Sequence, residues 1–199
     1  MQRFFILVML VLTVFSSWGN SDAAEKEKTT TPELIAVVTE KDGQVTNVSN
    51  LTADFRAEGK WIGSVPSRNM SSIGMKISYT EDRVHVSEHI NFPLPELRQF
   101  TIGNKDDPYD YRFEKQDGTT MLFRSHNKEK GCERIYEVLD SQGKRIKSVC
   151  VDNFVINGGE IQGELYVLRG FSANAKTKSG KVGTIHFDSD KVKNIKFGF

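Results

Sequence analysis

Between Leu34 and Phe197 every apolar run is short and stops at a turn-forming residue. Leu34–Thr39 and Gln44–Val48 flank Glu40-Lys41-Asp42-Gly43. Lys76–Tyr79 and Arg83–Phe92 flank Thr80-Glu81-Asp82. Tyr111–Glu114 and Thr119–Arg124 flank Gln116-Asp117-Gly118. Glycine or aspartate at such positions accepts the backbone angles of a hairpin turn. Further short runs lie at Phe154–Ile156, Glu160–Leu168, Thr184–Phe187 and Asn194–Phe197. No stretch sustains a helical apolar period; Leu94–Phe100 offers at most a turn or two. This punctuation predicts an all-β, mainly antiparallel fold, a β-sandwich or small β-barrels with little helix. Thirteen phenylalanines supply the bulk for its core.

The C-terminal stretch has an echo in the first half of the chain. Gly159-Glu160-Ile161 has a counterpart in Gly43-Gln44-Val45. Phe187, Val192, Ile195, Phe197 and Gly198 share their spacing with Phe92, Leu97, Phe100, Ile102 and Gly103. A repeat that keeps apolar spacing while its polar residues change preserves a fold rather than a reaction. It predicts two tandem, related β units, at 33–103 and 104–199. Gly43 to Phe92 is 49 residues and Gly159 to Phe187 is 28, so the first unit carries 21 extra. Most of them are expected as a loop between Arg56 and Met75, rich in Gly, Ser and Pro. Trp61 in that loop is a candidate interaction residue. In outline Gly159–Phe197 resembles the small bent-sheet barrels of the Sm-like type. The RNA-binding residues of that family have no match here, so the resemblance implies fold alone.

The N-terminus reads as an export signal. Met1-Gln2-Arg3 is positive, Phe4–Phe15 is apolar, and Ser21-Asp22-Ala23 offers small residues for cleavage. The run is shorter than the about 20 residues of a membrane span. Residues 1–23 are therefore expected as a signal peptide, and 24–32 as a disordered leader. Cleavage after Ala23 leaves 176 of the 199 residues. The protein is expected in the periplasm or outside the cell, with no membrane span once the signal is cut. Asn47, Asn50 and Asn69 head glycosylation triplets, which matter only in a eukaryotic secretory pathway.

Cys132 and Cys150 are the only cysteines, and Ser141 is midway between them. A hairpin turning at Asp140–Gly143 would bring them nearly opposite each other, within disulfide reach. In an oxidising compartment the pair is expected to be joined.

Four sets of residues invite chemistry. His85-Val86-Ser87-Glu88-His89 spells an inverted zinc-protease motif, which works only on a helix. The surrounding β-branched residues predict a strand, where the two imidazoles are about 13 Å apart. His85 and His89 thus stay low-order metal candidates, beside Ser87 on one polar surface. Ser141 and Lys144 have the spacing of a serine nucleophile and its lysine, but in an exposed turn. Asp188-Ser189-Asp190 and the Asp106–Asp110 cluster read as turn formers rather than a calcium loop.

The net charge of +1 argues against a general nucleic-acid binder. From Arg169 to Phe199 seven Lys or Arg stand against Asp188 and Asp190, and Lys176, Lys178, Lys181, Lys191 and Lys193 form a candidate interaction surface. Alternating lysines on a terminal strand also suit the protection of a sheet edge. No cofactor motif and no nucleophile–base pair is apparent. The expectation is an exported, non-catalytic β module that binds a partner protein or an envelope polymer. Two alternatives stand beside it. One is a metal-binding protein or hydrolase whose site is assembled from His85, His89, His126, His186 and carboxylates. The other is a carrier of a small apolar ligand.

Overall fold

Two long strands form the spine of the molecule. They are β2 (Val45–Glu58) and β12 (Glu164–Lys176), paired antiparallel from Leu165↔Glu58 to Asn174↔Ser49. Leu51, Ala53 and Phe55 point inward from β2, as do Phe171 and Ala173 from β12, while their polar neighbours point out. This alternation is what makes half-buried strands of sequences that carry Asp54 and Gly170 in mid-run.

The sheet branches at both ends of the spine. On the β2 side, β1 (Ile35–Glu40) pairs with its first half and β3 (Ser67–Met70) with its second. On the β12 side, β11 (Asn153–Ile161) pairs with its first half and β13 (Val182–Asp188) with its second. From β11 the ladder continues to β4 (Ser72–Glu81) and β5 (Val84–Pro93). From β1 it continues through β14 (Val192–Gly198), β6 (Leu97–Ile102) and β7 (Tyr111–Lys115). It ends with β8 (Thr120–Arg124), β9 (Arg134–Leu139) and β10 (Arg145–Val151). Every pairing in this fourteen-stranded sheet is antiparallel.

The computed structural model describes residues 34–58, 67–126, 131–161 and 164–198. The expected signal peptide (1–23), leader (24–32) and Trp61 lie outside them. Among the described residues no helix is long and apolar enough to cross a membrane.

The all-β, antiparallel expectation holds, as a single sheet curled like a half-barrel. Its arms meet through aromatic rings. Phe92 of β5 stacks on Phe113 of β7 with centroids 3.8 Å apart, and Phe154 of β11 meets Phe123 of β8 at 5.6 Å. Phe100 and Tyr136 extend the same cluster. The phenylalanines thus fill the concave side by packing on one another. The same curl brings the β10–β11 junction onto β4, where Asp152 N donates to Ser78 O at 2.7 Å.

Several details differ from the sequence reading. The stretch expected as a loop between Arg56 and Met75 contains the end of β2, all of β3 and the start of β4. Weak strand formers such as Ser67, Arg68 and Asn69 are held there by the open edge of β2. Leu94–Glu96 is one 3-10 turn, and Leu97 at once resumes a strand. Gly43 occupies a turn at φ +91°, whereas its counterpart Gly159 lies inside β11. The second half of the echo falls on β6 and β14, which pair with each other at Phe100↔Ile195. Strands from 33–103 and 104–199 interleave in the ladder, and Gly159–Phe197 does not close on itself. β14 lies between β1 and β6, so its alternating lysines mark a solvent face and not a sheet edge.

Candidate functional site

The outer face of the spine carries a group of polar side chains that line one cleft. One cross-strand row runs Asn69–Asp54–Gly170–Asp188 over β3, β2, β12 and β13. The next outward row runs Thr52–Ser172–His186. Gly170 contributes no side chain to the first row, and the gap becomes the floor of an open cleft of about 390 Å³. A bulge between Leu168 and Gly170 inserts Arg169 there, and Arg56 lines the same cleft from β2. Bulges of this kind re-aim a side chain beside a site. The glycine is required by the backbone as well. A Cβ at Gly170 would come within 2.1 Å of Phe187 O.

Ser172 is 6% exposed, and its hydroxyl is shared. It donates to Asp54 Oδ2 and lies 2.8 Å from His186 Nδ1. Asp54 Oδ2 is itself 3.9 Å from the same imidazole nitrogen. The other carboxylate oxygen, Asp54 Oδ1, is buried with no partner among the described residues. The His186 side chain is 73% exposed. Asp188 is held by Lys191, Nζ to Oδ2 at 2.8 Å. That hydrogen bond lowers the carboxyl's pKa and raises the ammonium's. Arg56 and Arg169 make no ion pair among the described residues.

Ser, His and Asp together suggest acyl transfer, but the connectivity is different. In a catalytic triad the imidazole stands between the other two and uses one nitrogen for each. Here serine stands in the middle, with its hydroxyl donated to Asp54 and its oxygen facing His186 Nδ1. The ring's Nδ1 faces both the hydroxyl and the carboxylate. The arrangement orients His186 at the cleft wall and gives it no relay to pass a proton through.

No family model matches this chain, and no curated protein or solved structure does.

The residues singled out in the sequence are dispersed. Lys176, Lys178 and Lys181 surround the β12–β13 turn, where Gly180 takes φ +83°. Lys191 and Lys193 lie at the other end of β13, about 20 Å away at the strand rise. The structure therefore splits the lysine set in two.

His85 and His89 are both exposed on the outer face of the edge strand β5, opposite Thr80 and Lys76. Glu88 faces the other way and accepts from Tyr79 OH at 2.5 Å. His85 is 4.0 Å from Asp152, while His126 lines a separate cleft of about 400 Å³ with Asp110 and Ser125. Of the four histidines only His186 enters the cleft above Gly170. No group of three or more His, Cys, Asp or Glu suited to a metal occurs among the described residues.

Cys132 and Cys150 are joined, with Cα atoms 5.6 Å apart. The β9–β10 turn is the expected one, closed by Asp140 N to Lys144 O at 2.9 Å. A bulge between Arg145 and Lys147 shifts the register, so Cys150 pairs with Ile135 and Cys132 reaches it from the preceding loop. Asp107 accepts from Asn104 N, and Asp110 accepts from Ser125 N and Oγ, so these carboxylates serve turns.

Asp54, Arg56 and Ser172 belong to no motif in the sequence, where Arg169 counts only among the C-terminal basic residues. A signal was present in Leu51-Thr52-Ala53-Asp54-Phe55-Arg56, whose strict alternation puts three polar groups on one face.

Proposed function

We propose that this chain is an exported, non-catalytic β module that binds an envelope polymer through the cleft above Gly170. The observation that carries this reading is the cleft itself: seven polar side chains from four strands around a glycine floor. A site on paired strands is rigid, as recognition requires. The disulfide supports an oxidising compartment. A polymer is favoured over a protein partner by the apolar surface. Stable protein interfaces need an apolar centre and about 800 Å² from each side. Among the described residues the exposed large hydrophobics Ile35, Val45, Val84, Ile146 and Val182 fall on five different strands.

The purified protein should co-sediment with the insoluble envelope of its own host. His186→Trp is exposed enough to leave the core intact and large enough to cover the cleft. It should abolish co-sedimentation. Undiminished binding by that variant would remove the cleft from the proposal. A hydrolase reading has one observation in its favour, the shared hydroxyl of Ser172. Labelling of Ser172 by a fluorophosphonate would support hydrolysis in place of binding.

A further inference from the structure

We infer that the cleft above Gly170 recognises an oxyanion, a phosphate or carboxylate group carried by the polymer, through Arg56, Arg169 and His186. The inference rests on the binding reading of the same cleft and adds the chemistry of its ligand.

A guanidinium presents its donors as a planar fork that matches both oxyanions. Arginines on a protein surface commonly lean on a carboxylate, and this cleft holds two, Asp54 and Asp188. Neither serves Arg56 or Arg169. Asp188 is occupied by Lys191 at 2.8 Å. Asp54 is turned to Ser172 and to His186. Both guanidiniums are therefore left with donors for a ligand.

His186 completes the set. Its Nδ1 is engaged by Ser172 at 2.8 Å, which fixes the ring and leaves Nε2 as the nitrogen for a ligand. Asp54 holds the Ser172 hydroxyl that engages Nδ1, and its carboxylate lies 3.9 Å from that nitrogen. Asp54 thus acts on the ligand through His186, as a positioning residue. A side chain at position 170 would occupy the space the oxyanion needs.

The test is a titration of the purified protein with polyphosphate, polygalacturonate, inorganic phosphate and neutral dextran. Wild type is compared with Arg56→Gln, Arg169→Gln and the double variant. Both arginines are exposed, and a thermal melt of each variant shows whether it is folded. An anionic polymer should bind and dextran should not. Each single variant should lose at least about tenfold in affinity, and the double variant should not bind. Lys178→Gln, at the β12–β13 turn, should bind as wild type does. Added salt should weaken binding. Binding of the polymer but not of inorganic phosphate assigns the oxyanion to a polymer. Equal binding per phosphate assigns it to a free ion and overturns the polymer part. Equal binding of dextran by wild type and double variant overturns the oxyanion and leaves the binding module standing. Failure with every probe and with the host envelope overturns both.

Discussion

Ser172 Oγ lies 2.8 Å from His186 Nδ1, across a directly paired position of β12 and β13. The same hydroxyl donates to Asp54 on β2, so one serine ties three strands together on the outer face. Among the described residues, Ser172→Ala removes the only donor to Asp54 Oδ2, beside a carboxylate oxygen that already has no partner. Stranding a partly buried carboxylate costs about 1–3 kcal/mol. The variant should lose that much unfolding free energy in urea titrations, melt at a lower temperature and bind the anionic polymer more weakly. Ser172→Thr, which keeps the hydroxyl, should recover part of both. An alanine variant as stable as wild type would show that Asp54 finds another donor.

Gly170→Ala tests the close approach of β12 to β13. The new methyl would meet Phe187 O at 2.1 Å, and that oxygen belongs to the backbone. Neither strand can yield without breaking its ladder, so the cost should fall in the range of overpacked sites, about 1–3 kcal/mol. Hydrogen exchange should accelerate at β13, which is bonded to β12 alone. Gly183→Ala on the same strand meets nothing within 4 Å and is the control.

Removing the disulfide should loosen one arm of the sheet. Cys132 and Cys150 are separated by 18 residues, and closing a loop of that size stabilises by about 3 kcal/mol. β10 is the last strand of its arm. Cys132→Ser with Cys150→Ser should therefore lower the urea midpoint and speed exchange first at β9 and β10. The cleft lies on the spine, so binding of the polymer should persist at temperatures where the variant is folded. Loss of binding in the folded variant would show that the arm supports the cleft.

Alkaline pH should destabilise the fold through two tyrosines. Burial pushes the Tyr136 hydroxyl from 10.0 up to about 12, and the hydrogen bond to Glu88 does the same for Tyr79. Below pH 10 both phenols are protonated in the folded and unfolded chains, and the stability is fully present. Above pH 10 the unfolded chain loses its protons first, so stability falls until about pH 12. For Tyr136, which is only 4% exposed, the fall is about 2–3 kcal/mol. Urea midpoints measured between pH 9 and 12 should decline, and Tyr136→Phe should flatten the decline. Parallel curves for the two proteins would refute the assignment.

The strands that the sequence announced were those bounded by turn residues. The hairpins around Gly43, Gly118 and Gly143 appear where glycine permits φ between +80° and +91°. The second halves of β2 and β12 were not announced, and they carry the candidate site. Asp54, Gly170 and Asn174 have poor strand propensity and interrupt these runs. They are strands because each is flanked on both sides by others, which outweighs local preference. The lysines show the opposite case. Lys176 and Lys193 are near in sequence, but a full strand separates them in space.

The sequence by itself determined the all-β class, because short apolar runs between turn signals can bury themselves only in sheets. It also set the cystine and its hairpin, because turn and cysteines lie within one local segment. Tertiary structure alone decided which strands became neighbours, that β14 is interior, and that Asp54, Arg169, Ser172 and His186 share a cleft. The pairing of β2 with β12 joins residues more than 100 positions apart, as Asp54 and Ser172 are by 118. Strand neighbours are selected by the fit of whole faces around a common core, and no local stretch of sequence carries that information.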